Sequence, residues 1–375
     1  MQFSNLSILN AIIAVSCAID IQHSYIVKLK GTIRIPMQIH IDVVKSLFQD
    51  RSNFNEIKAI HKNIGNMYNA KFSPNVLAKV KKMKEVEYVE PDSIVTINTI
   101  QNNATWGLNR ISQLPKLRNT NYKYKYNYDG KDVTVYVLDT GILVEHPEFE
   151  GRARFGARFA GTNNKDEHGH GTHCAGTVGS KTYGVAKKVS LVAVRVLDKN
   201  SFGPMSGVVA GIDWVLGHHK ASEPSVITMS LSGGIYKSLN LAIDTAISRG
   251  IPVVVAAGNK NQDACTNSPA SAPNAITVGA TDMNDYRAKF SNYGKCVDVF
   301  APGVDILSTW NNGKTNTISG TSMATPHVAG LIAGFLSKSH LTPKEVTKKL
   351  LSLAVQDMVA DAKFGTPNLL VNNGI

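Results

Sequence analysis

From Trp106 to the C-terminus, short apolar segments rich in Val and Ile alternate with longer helical segments. Five of the apolar segments have the length and composition of buried strands: residues 133–138, 190–196, 225–231, 251–256 and 275–279. Helix-like apolar spacing falls between them, as in residues 207–220 and 239–249. Buried strands that alternate with helices are typical of a parallel sheet with helices on both faces. The sequence therefore predicts an α/β fold with a mostly parallel sheet.

The composition argues against several classes of protein. Of the 375 residues, 43% are hydrophobic and 18% are charged, which suits a folded chain with a sizeable core. Forty Lys and Arg against 28 Asp and Glu give a net charge of +12, but the basic residues are scattered, so we expect no nucleic-acid partner. No uninterrupted apolar run reaches about 18 residues, so we expect no membrane span.

The N-terminus has the pattern of a secretory signal. An apolar segment from Leu6 to Val15 is followed by the small residues of Ser16-Cys17-Ala18, which suit a signal peptidase. We predict a signal peptide over residues 1–18, and the alternative is a buried N-terminal helix. A signal peptide implies that the chain enters the secretory pathway.

Residues 19–98 have the pattern of a separate small α+β domain. Residues 25–30 alternate as a strand does, and residues 86–91 resemble a second strand. Helix-like apolar spacing covers residues 41–64, and another helix is predicted over residues 74–82.

Two further segments lack a clear apolar pattern. The polar residues 98–103 are predicted to be a linker at which the chain is cleaved. The Tyr-rich residues 121–129 are predicted to be a surface excursion. A larger domain then spans residues 99–375.

Four polar residues lie where predicted strands end or predicted helices begin. Asp139 ends a buried strand, Asn259 follows another, and His170 and Ser322 lie at helix starts. In a sheet of parallel strands the carboxyl ends meet at one edge, where chemistry gathers. An Asp, a His and a Ser in this chain order are compatible with a Ser-His-Asp triad, although Asp139 taken alone is equally compatible with a helix cap.

Two alternatives stay open on the residues alone. Ser322 is a residue type favoured as a helix N-cap, although unpaired amides at a helix start also hold an oxyanion. The second alternative is a zinc site with ligands from His168, His170, His173 and Cys174. The glycine between the first two histidines and the missing His-Glu-x-x-His pattern argue against zinc.

Three separated motifs carry the most specific information in the chain. They are Val137-Leu-Asp139-Thr-Gly141, His170-Gly-Thr-His-Cys-Ala-Gly176 and Gly320-Thr-Ser322-Met-Ala-Thr-Pro326. From about Trp106 to its end, the chain resembles the subtilase family of serine proteases, and within it the proteinase K and cerevisin branch. Residues 25–95 resemble the inhibitor-type propeptide that precedes such enzymes. The resemblance implies a subtilisin-like serine endopeptidase that is made as a zymogen, with residues 19–98 as its own inhibitor.

The resemblance also implies a role for each site residue. Ser322 is expected to be the nucleophile, His170 the general base and then acid, and Asp139 the group that orients the imidazole and stabilises its charge. Asn259 is expected to donate its side-chain amide to the oxyanion, together with the backbone N–H of Ser322.

Two segments are expected to hold an extended peptide substrate through its main chain. By resemblance they are formed by Ser201, Phe202, Gly203, Ser230, Leu231, Ser232 and Gly233. Because main-chain pairing tolerates many side chains, we expect broad specificity, with an apolar preference at P1, the substrate residue before the cleaved bond.

Four cysteines become three once the signal is removed, so at least one is free or paired between chains. The resemblance implies a disulfide between Cys265 and Cys296, which would contribute about 3 kcal/mol through loop-closure entropy. It implies that Cys174 is a free thiol beneath His170.

A calcium ion is the one metal that the resemblance implies. Its ligands would be the backbone carbonyls of Pro273 and Ala275 and the carboxylate of Asp298, all of them the oxygen ligands that calcium takes. Asp298 as an ordinary turn residue at a strand end is the alternative. No cofactor is expected to be required for the chemistry.

The expected partners are protein and peptide substrates and the chain's own propeptide, and we expect a monomer. The family includes both extracellular and vacuolar enzymes, so either destination fits. The sequon Asn103-Ala104-Thr105 predicts a glycan near the cleavage region.

The alternative function is that of a catalytically inactive relative that acts as a binding or scaffold protein. Such proteins usually lose a triad member, whereas this chain retains all three.

Overall fold

The computed structural model describes residues 19–31, 36–48, 54–61, 66–94, 99–117, 121–220 and 222–375. These residues form two compact units, divided between residues 97 and 98. The predicted signal peptide, residues 1–18, lies outside the described residues. Within the described part of the chain, no helix combines the length and apolar character needed to cross a bilayer.

The smaller unit consists of a four-stranded antiparallel sheet and two helices. Its elements are β1 (Ile19–Leu29), α1 (Met37–Ser46), β2 (Glu56–His61), β3 (Met67–Lys71), α2 (Pro74–Val80) and β4 (Val86–Ile94). The strands lie in the order β2-β3-β1-β4. Val27, Tyr68 and Phe72 are fully buried in the core that the sheet and helices share. The predicted small α+β fold of this region is confirmed.

The prediction of helix-like structure over residues 41–64 is wrong for the second half of that segment. Its described residues form the end of α1 and then the strand β2. A register shift between Ile57 and Ala59 shows a bulge in this strand. Ile57 and Ile60 consequently both pack on the core although they are three residues apart. A bulge thus gives a strand the apolar spacing of a helix.

The larger unit contains the long sheet that the apolar segments predict. Its elements are β5 (Thr99–Asn102), α3 (Trp106–Arg110), β6 (Lys123–Tyr126), β7 (Thr134–Asp139), β8 (Ala153–Arg158), α4 (His170–Gly179), β9 (Ser190–Arg195), α5 (Met205–His218), β10 (Ser225–Met229), α6 (Lys237–Ser248), β11 (Val253–Ala256), β12 (Ile276–Thr281), β13 (Val299–Pro302), β14 (Ile306–Thr309), β15 (Thr315–Ile318), α7 (Thr321–Leu336), α8 (Pro343–Leu353), β16 (Val355–Gln356) and β17 (Leu369–Leu370). The sheet order is β16-β17-β13-β12-β11-β10-β7-β9-β8. All neighbouring strands in it are parallel except β16 and β17.

Alternate residues of the strands face opposite layers of helices. On β7, Val135 and Val137 belong to a core that includes residues of α4 and α7. Tyr136 and Leu138 belong to a second core with residues of α5 and α6. Helix α7 is buried along its whole length except at Ser322. The predicted mostly parallel sheet with helices on both faces is confirmed.

The prediction of a linker over residues 98–103 is wrong for the described residues 99–103. Residues 121–129, predicted to be a surface excursion, are mostly exposed or half-buried, but they contain a strand. Strands β5 and β6 pair antiparallel in these two segments. Tyr124 is buried, and its hydroxyl donates to the carbonyl of Val185 at 3.1 Å. The alternation of Tyr with Lys and Asn in this segment is itself a strand pattern, because alternate residues of a strand share one face.

A buried ion pair connects α3 with the loop after β12. The side chains of Arg110 and Asp285 both have 0% exposure. Arg110 donates from Nε to Oδ1 of Asp285 at 2.7 Å and from Nη2 to Oδ2 at 3.3 Å. Its third nitrogen donates to the carbonyl of Gln113 at 2.8 Å. Each charge is therefore compensated, and the loss of either partner leaves the other buried without a counterion.

We predict that Asp285→Asn lowers the free energy of unfolding by about 3–5 kcal/mol, because the Arg110 charge remains buried. Glu223→Gln is the control. Glu223 pairs with Lys220, and both side chains are more than half exposed. The control should cost less than about 1 kcal/mol. Urea unfolding of both variants measures the difference, and equal losses would contradict the prediction.

Candidate active site

The interior strand β7 ends in a fully buried carboxylate, that of Asp139. Its Oδ1 accepts a hydrogen bond from the backbone N–H of Thr140 at 2.7 Å and another from Nδ1 of His170 at 2.7 Å. A buried carboxylate is costly unless such donors compensate it. Because Nδ1–H donates to Asp139, Nε2 of His170 is left as the acceptor in the neutral ring. The strand end and the helix start thus meet as the sequence predicts.

A glycine permits this close approach of α4 to β7. His170 is the first residue of α4, and Gly171 follows it. A Cβ added to Gly171 would lie 2.1 Å from the carbonyl oxygen of Gly141 and 3.1 Å from Cβ of Asp139. Any side chain here would push the helix away from the strand. The glycine of the His-Gly-Thr-His motif is therefore a geometric requirement of the His170–Asp139 contact.

The surroundings of His170 favour its charged form. Burial alone lowers the pKa of His170, but the charge of Asp139 and its hydrogen bond raise that pKa well above the ordinary value. Burial raises the pKa of the neighbouring Cys174 thiol, which is consequently neutral near pH 7. The carboxylate is therefore the group that stabilises a protonated imidazole here.

Ser322 is the second residue of α7, and Gly320 is the N-cap. The interpretation of Ser322 as an N-cap is therefore wrong. Its Oγ donates to the carbonyl of Ser230 at 3.1 Å, and Oγ of Ser230 donates to the carbonyl of Ser322 at 2.8 Å. The hydroxyl thus bonds to the chain after β10 in this conformation, and a side-chain rotation is needed to redirect it. A nucleophile that is not yet hydrogen-bonded to its general base is common in the absence of substrate.

Cys174 lies between the elements that carry His170 and Ser322. Its Sγ is 3.9 Å from Nδ1 of His170 and donates to the carbonyl of Ser322 at 3.4 Å. The thiol is buried and not disulfide-bonded. Because one small side chain contacts both residues, the N-terminal turns of α4 and α7 lie next to each other.

Asn259 is oriented by the first residue of α7. Its Oδ1 accepts from the backbone N–H of Thr321 at 2.8 Å and from Oγ1 of Thr321 at 2.9 Å. A Cβ added to Gly320 would lie 3.5 Å from Nδ2 of Asn259, which places the amide donor beside the helix start. No described residue accepts a hydrogen bond from Nδ2. The amide and the backbone N–H of Ser322, which would lie 3.6 Å from the same added Cβ, therefore stand together as donors.

His168 and His173, the other two histidines of the zinc alternative, have different hydrogen-bond partners. Nε2 of His173 donates to the carbonyl of Ile306 at 2.9 Å, and burial lowers its pKa to about 4. Nδ1 of His168 accepts from the backbone N–H of His170 at 3.3 Å. Asp139, His170 and Cys174 are the one group of three or more His, Cys, Asp or Glu side chains in the described part of the chain whose ligand atoms lie within reach of one metal ion. The four ligands of the zinc alternative are thus not brought together.

The two predicted substrate segments flank the end of β7. Ser201, Phe202 and Gly203 follow β9, and Ser230–Gly233 follow β10, the two strands on either side of β7. A Cβ added to Gly203 would lie 2.0 Å from the carbonyl of Val196, so the loop requires glycine there. Among the described residues, none hydrogen-bonds to the backbone of Gly203, Leu231 or Ser232. These backbone groups can pair with an extended chain.

The remaining predicted positions lie outside this cluster. Cys265 and Cys296 form a disulfide, with Cα atoms 5.3 Å apart. Asp298 immediately precedes β13, and its Oδ2 accepts from the backbone N–H of Thr277 at 2.7 Å. This bond ties Asp298 to the start of β12, which Pro273 and Ala275 precede.

Sequence reasoning missed two side chains that organise the site, Thr321 and Asp166. Thr321 orients Asn259, and Asp166 accepts hydrogen bonds at the start of α4. Thr321 lies inside the third motif, and Asp166 lies four residues before His170. The sequence pattern around Thr321 and Asp166 gives little indication of these roles, because a hydroxyl or carboxyl group in a glycine-rich turn usually caps its own helix.

Comparison with known proteins agrees with this arrangement. Residues 130–367 match the Subtilase family, and residues 24–98 match Peptidase inhibitor I9. The cuticle-degrading protease of Metarhizium anisopliae is 44% identical over 94% of this chain and 90% of its own length. Subtilisin-like protease 2 of Pseudogymnoascus destructans is 48% identical over 84% of this chain and 81% of its own length.

A solved structure shows the same fold. A cold adapted subtilisin-like serine proteinase is 48% identical and superposes with a TM-score of 0.69, covering 72% of this chain and 98% of its own. The family match covers most of the larger unit and includes Asp139, His170 and Ser322. The chain therefore belongs to the subtilase family and is a subtilisin-like serine endopeptidase with an N-terminal I9 propeptide, made as a zymogen.

Proposed function

We propose that Ser322 attacks the carbonyl carbon of a peptide bond while Nε2 of His170 takes its proton. His170 then protonates the leaving amine, and Asp139 holds the ring and stabilises its positive charge. Water, deprotonated in turn by His170, releases the acyl group. The observation that carries this proposal is the 2.7 Å bond between His170 Nδ1 and the buried Asp139, near Ser322, the one residue of α7 that is not buried.

The negative charge of the tetrahedral intermediate needs donors fixed in advance. We assign this role to Nδ2 of Asn259 and the backbone N–H of Ser322, because Thr321 holds Asn259 beside the helix start. An inactive scaffold protein has no need for these donors together with a complete triad. The geometry therefore favours an active enzyme over that alternative.

Substrate binding through the main chain follows from the two flanking segments. The unpaired backbone groups of Gly203, Leu231 and Ser232 suit an extended peptide that adds as a strand. Phe202 is fixed in its loop, since its carbonyl accepts from the N–H of Asp198 at 2.8 Å and its N–H donates to Asp198 Oδ1 at 3.0 Å. We infer broad specificity, with an apolar preference at P1.

The maturation pathway follows from the domain order. We propose that residues 1–18 are removed as a signal peptide, that residues 19–98 inhibit the enzyme until cleavage within about residues 96–104, and that residues 99–375 form a monomeric mature enzyme. The I9 match over residues 24–98 supports this order. Asn103 is exposed, which suits a glycan on the mature N-terminus. The destination is then extracellular or vacuolar.

Subtilases need no cofactor for their chemistry, but calcium binding fits one place in this chain. Burial raises the pKa of Asp298 to about 6, although the Thr277 N–H partly offsets this cost. A hard cation held by this carboxylate and by the carbonyls of Pro273 and Ala275 would compensate the buried charge. We propose a structural calcium site there, away from the triad.

The first prediction concerns the nucleophile. Ser322→Ala should lower peptide turnover by about 10⁶-fold, because the attacking oxygen is removed while the packing is nearly unchanged. Ser337→Ala, at the far end of the same helix, is the matched control and should retain turnover. A fluorophosphonate should label Ser322 in the wild-type chain. Wild-type turnover of purified Ser322→Ala would rule out the triad assignment.

The same variant tests maturation. Ser322→Ala expressed in a eukaryotic host should retain residues 19–98, whereas the wild-type chain and Ser337→Ala should be cut within about residues 96–104. Mass spectrometry and N-terminal sequencing identify each product. Trimming of Ser322→Ala at the same site, with no active enzyme present, would show that another protease performs the cleavage.

The second prediction concerns pH. His170 must be neutral to accept the Ser322 proton, and Asp139 raises its pKa, so kcat/KM should fall as the pH drops through that raised value. The midpoint of this acid limb should lie above pH 6.5, the ordinary pKa of histidine. Asp139→Asn should lower kcat by about 10⁴-fold and move the midpoint to lower pH. A wild-type midpoint at or below 6.5 would contradict the proposed electrostatics.

The third prediction concerns calcium. The melting temperature should rise with calcium concentration, since a ligand of the folded state alone stabilises it by about 2.7 kcal/mol at a hundredfold excess over Kd. Asp298→Asn should abolish the calcium response while its kcat stays near that of the wild-type enzyme. Thermal unfolding of catalytically inactive Ser322→Ala avoids self-digestion. A melting temperature independent of calcium would show that no such site exists.

A further inference from the structure

Asp166 is a buried carboxylate that the proposed mechanism does not use. It lies four residues before His170 and is only 5% exposed. None of its described partners is a cation, so its charge is compensated by neutral donors alone. A buried charge of this kind is costly to keep and calls for a structural or functional reason.

Five hydrogen bonds converge on this carboxylate. Oδ1 accepts from the backbone N–H groups of His168 at 3.1 Å and Gly169 at 2.8 Å, and from Oγ1 of Thr140 at 2.8 Å. Oδ2 accepts from the backbone N–H of Thr172 at 2.9 Å and from its Oγ1 at 2.6 Å. The two oxygens therefore accept hydrogen bonds from the loop before α4, from α4 itself and from Thr140.

These donors include the otherwise unpaired amides at the start of α4. The N-cap Gly169 has no side chain with which to cap the helix. Asp166 accepts from the amides of Gly169 and Thr172 in its place, and its negative charge suits a helix N-terminus. The amide of Gly171 donates to Oγ1 of Thr140 at 2.9 Å instead.

Thr140 connects this cap to the triad. It directly follows Asp139, its N–H donates to Asp139 Oδ1, and its hydroxyl both accepts from Gly171 and donates to Asp166. The end of β7 and the first turn of α4 are thus joined through one hydroxyl and one carboxylate. These are the elements that carry Asp139 and His170.

We propose that Asp166, acting through Thr140, is a positioning residue that holds His170 against Asp139. This inference rests on the proposed roles of those two triad members. Asp139 and His170 belong to separate elements, so their 2.7 Å bond depends on how β7 and α4 are fixed to each other. A displacement of about 1 Å in a catalytic group costs about 100-fold in rate. Asp166 and Thr140 touch neither the proposed nucleophile nor the substrate segments.

The test uses buried Thr→Val changes, which remove a hydroxyl and keep the shape. Thr140→Val should lower kcat about ten- to hundredfold and leave KM within about twofold, because the loss affects the chemical step. Thr140→Ser keeps the hydroxyl and should restore kcat to within about threefold of wild type. Thr177→Val is the matched control, since Thr177 is buried on α4 and donates to the carbonyl of His173. Its kcat should stay within about twofold of wild type.

Two further measurements separate positioning from loss of folded protein. End-point titration of Ser322 with a fluorophosphonate counts the active sites, so kcat refers to folded enzyme. The proton NMR resonance of the His170 Nδ1–H should shift in Thr140→Val and return in Thr140→Ser. Asp166→Asn should reproduce the kcat loss, because an amide cannot accept on both sides.

Three results would overturn the positioning role. They are an unchanged kcat in both Thr140→Val and Asp166→Asn, a kcat loss that Thr140→Ser does not restore, and an unshifted His170 resonance. The proposed function fails separately, if wild-type enzyme shows no turnover or if Ser322→Ala retains it. Active wild-type enzyme and inactive Ser322→Ala, together with full activity of both Thr140→Val and Asp166→Asn, would therefore remove only the positioning role.

Discussion

A carboxylate with no exposed surface ends the interior strand β7, and the geometry of the site depends on how its charge is compensated. Asp139 has two donors, the N–H of Thr140 and Nδ1–H of His170. The second donor is available only if α4 begins directly beside β7, which the glycine at position 171 permits. The cost of burying one charge thus fixes the orientation of the imidazole before substrate binds.

The parallel sheet brings the remaining groups to the same edge. Because β9 and β10 flank β7, the chain after each of them emerges beside Asp139. Helix α7 packs against the sheet with every residue buried except Ser322, so the proposed nucleophile is presented by a rigid element. Backbone groups then supply the proposed substrate contacts and one oxyanion donor. A site built largely from main chain is compatible with many substrate sequences.

The sequence predicted the sheet well because parallel strands buried on both faces carry uninterrupted β-branched runs. The secondary-structure prediction failed where the local apolar pattern and the tertiary context disagree. The bulge after Ile57 places two core residues three apart, and the pairing of β5 with β6 gives order to a polar segment. The triad residues were identifiable from their motifs. Asp166 and Thr321 were not, since their roles depend on amides and side chains that the fold brings to them.

The resting hydroxyl of Ser322 is compatible with the proposed attack, although its hydrogen bond goes to Ser230. Redirecting it toward His170 exchanges one neutral hydrogen bond for another, and such a bond contributes only about 1 kcal/mol net. The acceptor, the carbonyl of Ser230, begins the segment proposed to pair with substrate. The reciprocal bond from Ser230 Oγ to the Ser322 carbonyl does not involve the nucleophilic oxygen. The backbone of Ser322 therefore stays fixed while its hydroxyl turns, so the helix need not move for the reaction to begin.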